Sequence, residues 1–165
     1  MHASMVEPGT DRRGLRRSTA ALLGATLLAA TLASGTVAGE AVVTRGEVYP
    51  FAAGAALAIS SRAQMVRTAD GKTIVSVHVE GLLPNTTYGA HVHKQACANE
   101  NADGHYRFDP SGPPAPPNEI WPGFTTNAAG IGNGNATVDA TAGPTAVSVV
   151  IHSPANSKIA CADLE

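Results

Sequence analysis

Between Lys72 and Glu80 the chain alternates without a break: Val75, Val77 and Val79 fall on one side, and Ile74, Ser76, His78 and Glu80 on the other. A period of two marks a strand with one buried face, whereas a helix through the same residues would scatter the valines around its axis. Asp70-Gly71 stands just ahead of this run. Both residues tolerate the positive φ of a type I′ turn, so the strand is expected to pair with the segment before it as a hairpin. A lone hairpin is barely stable in water, so further strands must cover the valine face.

Other segments repeat the pattern more weakly. Residues 41–49 and 54–67 alternate in part, and further strands are expected through Tyr88 to His93, near Asn135–Ala140, along the apolar run Ala146–Ile151, and from Ser157 to Cys161. Leu83-Pro84-Asn85, Ala129-Gly130-Ile131-Gly132 and Gly143-Pro144 supply turns between them. With 17 Gly, 11 Pro and only 15% charged residues, the composition suits short strands joined by turns better than long helices. Lys94 to Phe124 holds more than half of the prolines and has little periodicity. It is expected to be one long loop, and loops of that length usually carry function. The expected fold class is all-β, an antiparallel sandwich or Greek-key barrel of about eight strands.

Arg12, Arg13, Arg16 and Arg17 precede a stretch from Ala20 to Val37 that holds no charge, with small residues at Thr36 and Ala38. This is the layout of a secretory signal cut after about Ala38, so 1–38 reads as a signal peptide and 39–165 as the exported domain. An uncleaved membrane anchor is the alternative, because the stretch approaches the length that spans a bilayer; its many Ala, Gly and Thr residues weigh against it. Contact with a membrane follows only from that alternative. From residue 39 onward, 7 Lys+Arg stand against 11 Asp+Glu, about −4 in all, which argues against nucleic acid as a partner. Nothing in the sequence specifies an oligomeric state.

Cys97 and Cys161 are the only cysteines. In an exported domain such a pair is expected to join, closing a loop of about 64 residues. Metal ligation by one or both thiols is the alternative, with no Cys-x-x-Cys clustering to favour it.

His91-Val92-His93 carries two imidazoles on one face of a strand, about 7 Å apart along the chain. His105 follows Gly104 in the long loop, and His152 ends the apolar strand. One metal ion could take all four. Imidazole nitrogens suit copper and also accept zinc; the alternative is a solvent-facing strand edge with a lone surface His152. By its parity with Ser76 and Glu80, His78 is expected to face outward. Trp121 with Phe124 is expected to pack the base of the loop.

Gly89-Ala90-His91-Val92-His93, Gly104-His105 with Phe108-Asp109-Pro110 beyond, Val149-Val150-Ile151-His152, and Lys158-Ile159-Ala160-Cys161 resemble, in order, the signatures of the copper/zinc superoxide dismutases. The resemblance spans roughly Val42 to Cys161. It implies a flattened Greek-key β-barrel, copper held by His91, His93 and His152, His105 as the histidine that bridges copper to zinc, and Cys97 with Cys161 as the intrasubunit disulfide. It also implies superoxide anion as the substrate.

The chain departs from that family in three places. No histidine lies between His105 and His152, where the zinc site needs two more and an aspartate, so zinc is expected to be absent. Glu119 falls near the place of that aspartate and is a candidate to hydrogen-bond His105 in the metal's stead; a solvated loop glutamate is the alternative. Only Ser153 to Ala160 separate His152 from Cys161, so the charged loop of zinc-containing members is missing and the chain resembles the copper-only branch. Lys158 stands in register with the arginine that guides the anion, keeping the charge and losing the planar fork; a plain surface lysine is the alternative. The expected function is a secreted, extracytoplasmic copper-dependent superoxide dismutase forming oxygen and hydrogen peroxide, with His105 and Lys158 as catalytic residues. The alternative is a non-catalytic exported copper-binding or storage module of the same fold.

Overall fold

A computed structural model describes residues 39–165 of the chain. Residues 1–38, on which the signal-peptide and anchor readings fall, lie outside the described residues. Among the described residues no helix is long and apolar enough to cross a membrane. The strands are β1 (Val42–Glu47), β2 (Tyr49–Pro50), β3 (Ser60–Arg67), β4 (Thr73–Glu80), β5 (Thr87–His93), β6 (Phe124–Thr125), β7 (Gly132–Val138), β8 (Ser148–His152) and β9 (Lys158–Asp163). They form two antiparallel sheets, one ordered β1-β3-β4-β7 and the other β2-β9-β8-β5-β6. The all-β expectation thus resolves to a sandwich of two separate sheets and not to a closed barrel.

β4 shows why the layers pack as they do. Val75, Val77 and Val79 are buried, while Ile74, Ser76 and His78 lie toward solvent. The valines meet Ala90, Val92, Val149 and Ile151 from the facing sheet in one core. β8 is buried at every position, because its outer face is covered as well: Val150 packs with Cys97, Ala102 and Cys161, and Phe51 lies against them. A strand covered on both faces has no reason to alternate, which accounts for the consecutive Val149, Val150 and Ile151 at its centre.

Three boundaries differ from the sequence expectation. The expected strand 41–49 breaks at the buried Val48, where the chain leaves β3 and begins to pair with β9. In the expected strand 54–67 only Ser60–Arg67 is extended. Gly54 lies so close to the Ile159 carbonyl oxygen that a Cβ would stand 2.1 Å from it, and the approach is made by a 3-10 turn at Ala52–Gly54. β7 begins at Gly132, earlier than expected, with Gly132 and Gly134 on its inner face. Phe124 and Pro122 pass directly over these two positions, where a Cβ would fall 2.2 Å from the Phe124 ring and 1.9 Å from the Pro122 oxygen.

The β3–β4 hairpin forms, but by a longer loop than a type I′ turn. Gly71 N–H donates to the Thr68 carbonyl at 3.1 Å, and Gly71, at φ 87°, is the loop's one residue with positive φ. The Thr68 hydroxyl contacts the Asp70 carboxylate and accepts the Lys72 N–H at 2.9 Å. This leaves Asp70 in an ordinary conformation, so the second positive φ that a type I′ turn needs is not required.

Candidate metal centre

The parity of β5 decides where the histidines point. Ala90 and Val92 enter the core, so His91 and His93 stand on the opposite face, toward β8's outer residues. In the β5–β8 ladder Gly89 is opposite His152, and His93 is opposite Ser148. Gly89 lies directly beside the rings: a methyl there would touch His152 at 3.5 Å and the His91 ring at 3.6 Å, ordinary packing distances. The long loop returns beside β5 through Lys94 N–H to Gly104 oxygen (3.2 Å) and Tyr106 N–H to Val92 oxygen (2.8 Å), which brings His105 against His93. His91, His93, His105 and His152 then offer four ring nitrogens that all lie within 4.8 Å of one another. This is a buried cluster of four histidines able to hold a metal ion.

Each ring has one nitrogen to spare. His93 Nδ1 lies 3.3 Å from the Ala102 carbonyl oxygen and 3.0 Å from that of Asp103. Both are acceptors, so Nδ1 carries the proton and Nε2 is left with its lone pair. His105 Nδ1 donates to Glu119 Oε2 at 2.6 Å, again freeing Nε2. His152 Nδ1 faces the Asn156 oxygen at 3.5 Å, and its Nε2 lies 3.5 Å from His93 Nε2. His91 Nδ1 is buried with no hydrogen-bond partner. An orphaned buried nitrogen costs about 1–3 kcal/mol unless something binds it, and a metal ion is the partner that would satisfy it together with the other three rings.

The carbonyls that orient His93 come from an unusual turn. Glu100, Asn101, Ala102 and Asp103 all have positive φ, between 49° and 66°, a run that costs roughly 1–2 kcal/mol per residue. Three ties hold it: the Cys97–Cys161 disulfide, a Lys94–Asp103 ion pair at 3.0 Å, and Lys158, whose ammonium donates to the Asn101 and Asp103 carbonyls at 2.8 and 2.5 Å. Lys158 is therefore bound to this loop. Its charge still reaches the site, as it is among the causes that lower the His93 and His152 pKa values.

Glu119 is 2% exposed, and Oε2 accepts a second hydrogen bond, from Trp121 Nε1 at 2.8 Å. The Trp121 ring centroid lies 5.1 Å from that of His91. Sequence reasoning placed Trp121 with Phe124 in the base of the loop, yet only Phe124 is there, against Tyr88. Glu119 lies in a bend that follows a turn, so no strand periodicity marked the two side chains as sharing one side. Outside the site, His78 is on the far sheet, bonded to Asn133 and Glu80.

Burial first, and then neighbouring positive rings, pushes both His91 and His93 down from 6.5 to about 3; burial likewise lowers His152. In the metal-free protein these rings stay neutral while unfolded histidines begin to protonate. The unfolded state then binds more protons between about pH 6.5 and 3, so folding stability falls as pH drops through that window and is unaffected by these groups above it. His78 is shifted upward by its bonds to Asn133 and Glu80 and opposes this as a single, exposed group. Urea midpoints of the metal-free protein are expected to be level from pH 8 to 7 and to decline from pH 6.5 to 4. A level profile down to pH 4 would contradict buried neutral rings.

No protein-family model and no curated protein matches this chain.

Proposed function

We propose that this protein is an exported copper-dependent superoxide dismutase. The observation that carries the reading is the convergence of four imidazoles, three with Nδ1 directed at an acceptor and the fourth, His91, with a buried and unpartnered Nδ1. An all-nitrogen set of this kind favours copper over the other divalent ions that imidazole accepts. The ordered resemblance of the segments around these histidines to the superoxide dismutases supplies the reaction. Export is supported by the disulfide, which fits an oxidising compartment, and by the leader-like composition of 1–38.

Bound by His91, His93, His105 and His152, copper would supply electron exchange between its two oxidation states. Overall, two superoxide anions and two protons give one oxygen and one hydrogen peroxide, one anion losing the electron that the other gains. The chain's own part is geometric and electrostatic. His105 is held in a single tautomer by Glu119, with Nε2 toward the other rings and its one proton on Nδ1. The reading of a centre without zinc rests on the sequence, which has no histidine between His105 and His152. Lys158 adds the positive charge that a domain of net negative charge needs in order to draw an anion to this face.

The tie of Lys158 to two backbone carbonyls favours a second reading, a copper-binding or storage module that does not turn over. Metal analysis, the spectrum of the copper(II) form and a dismutase assay against an equal concentration of free copper separate the two. One copper per chain with turnover above free copper is expected. Tight copper without turnover selects storage, and a protein that takes up no copper sinks both readings. The single tryptophan gives a direct check, because copper(II) bound at these rings would quench most of its emission and zinc(II) would not.

A further inference from the structure

We propose that Trp121 is a positioning residue of the metal centre, acting on His105 through Glu119 and on His91 by ring contact; the inference rests on the four histidines being a copper site. Ile120 is fully buried and its carbonyl accepts the Val92 N–H at 3.0 Å. This bond ties the segment to β5 just after the bend at Glu119, and the side chains of Glu119 and Trp121 both reach the histidines, Glu119 bonding His105 and Trp121 lying against His91. One oxygen of Glu119 takes two donors, His105 Nδ1–H at 2.6 Å and Trp121 Nε1–H at 2.8 Å. Among the described residues no lysine or arginine pairs with this carboxylate, whose contacts are the hydrogen bonds from His105 and Trp121. The terminal torsion of a glutamate is broad and soft. A second donor on a rigid ring removes that freedom and holds the acceptor where His105 requires it.

The indole is placed to do this because it is itself braced. It packs on His91 with the ring planes 51° apart, and His91 in turn lies 4.1 Å from His105 and 4.7 Å from His152 by ring centroids. One residue thus touches the histidine with the orphaned nitrogen and, through Glu119, the neighbouring ring of His105. Trp121 is 41% exposed while Glu119 beneath it is 2% exposed. The exposed ring thus donates to a carboxylate that is itself buried.

The full-length protein loaded with copper(II) tests this through Trp121→Phe, Glu119→Gln and the double variant, with Leu83→Ala as a control at another exposed apolar residue. Removing a partner that orients a ligand typically costs 10–100-fold in metal affinity. Trp121 acts one bond further out, so Trp121→Phe is expected to weaken copper(II) by about 3- to 10-fold and to shift its electron paramagnetic resonance spectrum in the direction that Glu119→Gln does. The double variant is expected to resemble Glu119→Gln alone, because phenylalanine keeps a ring against His91 and removes only the hydrogen bond that acts through Glu119. Leu83→Ala should leave affinity and spectrum unchanged. A Trp121→Phe protein with wild-type spectrum and affinity, or effects that add in the double variant, would overturn the role of Trp121 and leave the copper site standing. A wild-type protein that binds no copper overturns both. If Trp121→Phe does not fold, the wild-type indole N–H resonance decides the matter: it should exchange slowly for so exposed a ring and move on Glu119→Gln. Fast exchange would overturn the proposal.

Discussion

Replacing His91 by leucine is expected to weaken copper(II) binding by at least about 100-fold while leaving the metal-free protein as stable as the wild type, or more stable by about 1 kcal/mol. The first half follows from removing a ligand, since even residues that only orient ligands cost up to about 100-fold. The second half has the opposite sign because of what His91 costs without metal. Its Nδ1 is buried and unpartnered, and burial holds the ring neutral with a pKa near 3. Leucine removes a desolvated polar atom worth about 1–3 kcal/mol and keeps apolar bulk against Trp121 and the neighbouring rings. His93→Leu is the contrasting variant. It also removes a ligand, but it takes away a fully buried donor, leaving the Ala102 carbonyl without its side-chain partner and the Asp103 carbonyl with Lys158 alone, so the metal-free protein should be destabilised. Copper competition assays and urea denaturation of both variants check the pair. Equal loss of stability in the two would mean that the His91 ring has a partner of its own, and that the case for a site shaped around a metal is weaker.

Serine at both Cys97 and Cys161 is expected to lower the unfolding free energy by up to about 4 kcal/mol, the value that the loop-entropy model assigns to a cross-link closing about 64 residues. The loss should be larger than for any surface substitution, because the bridge also pins Ala102 and the left-handed turn over β8. Against a typical domain stability of about 5–15 kcal/mol this is a large fraction. The same variant should bind copper less tightly, since the turn provides the acceptors that fix the His93 tautomer. Urea denaturation with and without a reductant makes the test: reduction should move the wild type to the midpoint of the double serine variant and leave that variant where it is. A wild type indifferent to reductant would show that the bridge contributes little.

How legible each part was depended on the range of the forces that set it. The valine alternation of β4 is a local pattern with one structural solution, and it read correctly from residue to residue. The same parity put His91 and His93 on one face. Where the expectation slipped, a distant segment had intervened. Gly132 read as a turn residue and Gly134 fell outside the strand expected near Asn135–Ala140, because glycine carries no periodic signal; both are inner-face strand positions kept bare by Phe124 and Pro122. Residues 41–49 read as one strand because alternation continues across Val48; the change of sheet there is set by pairing with β9 more than a hundred positions later. Asp70-Gly71 marked the hairpin correctly and its turn type wrongly, since the Thr68 side chain offered the loop a different set of hydrogen bonds.

The sequence by itself determined the strand class of the chain, the two cysteines available to join, and the four imidazoles available to converge, because residue type and spacing along a strand decide these. Only the tertiary structure decided which nitrogen of each imidazole is free, that Lys158 is tied to the turn at Asn101–Asp103, and that Trp121 leans on His91 while holding Glu119. Those facts depend on hydrogen bonds and ring contacts between segments brought together by the packing of two sheets. Their donors and acceptors are mostly backbone groups and paired side chains whose partners no single stretch of residues specifies.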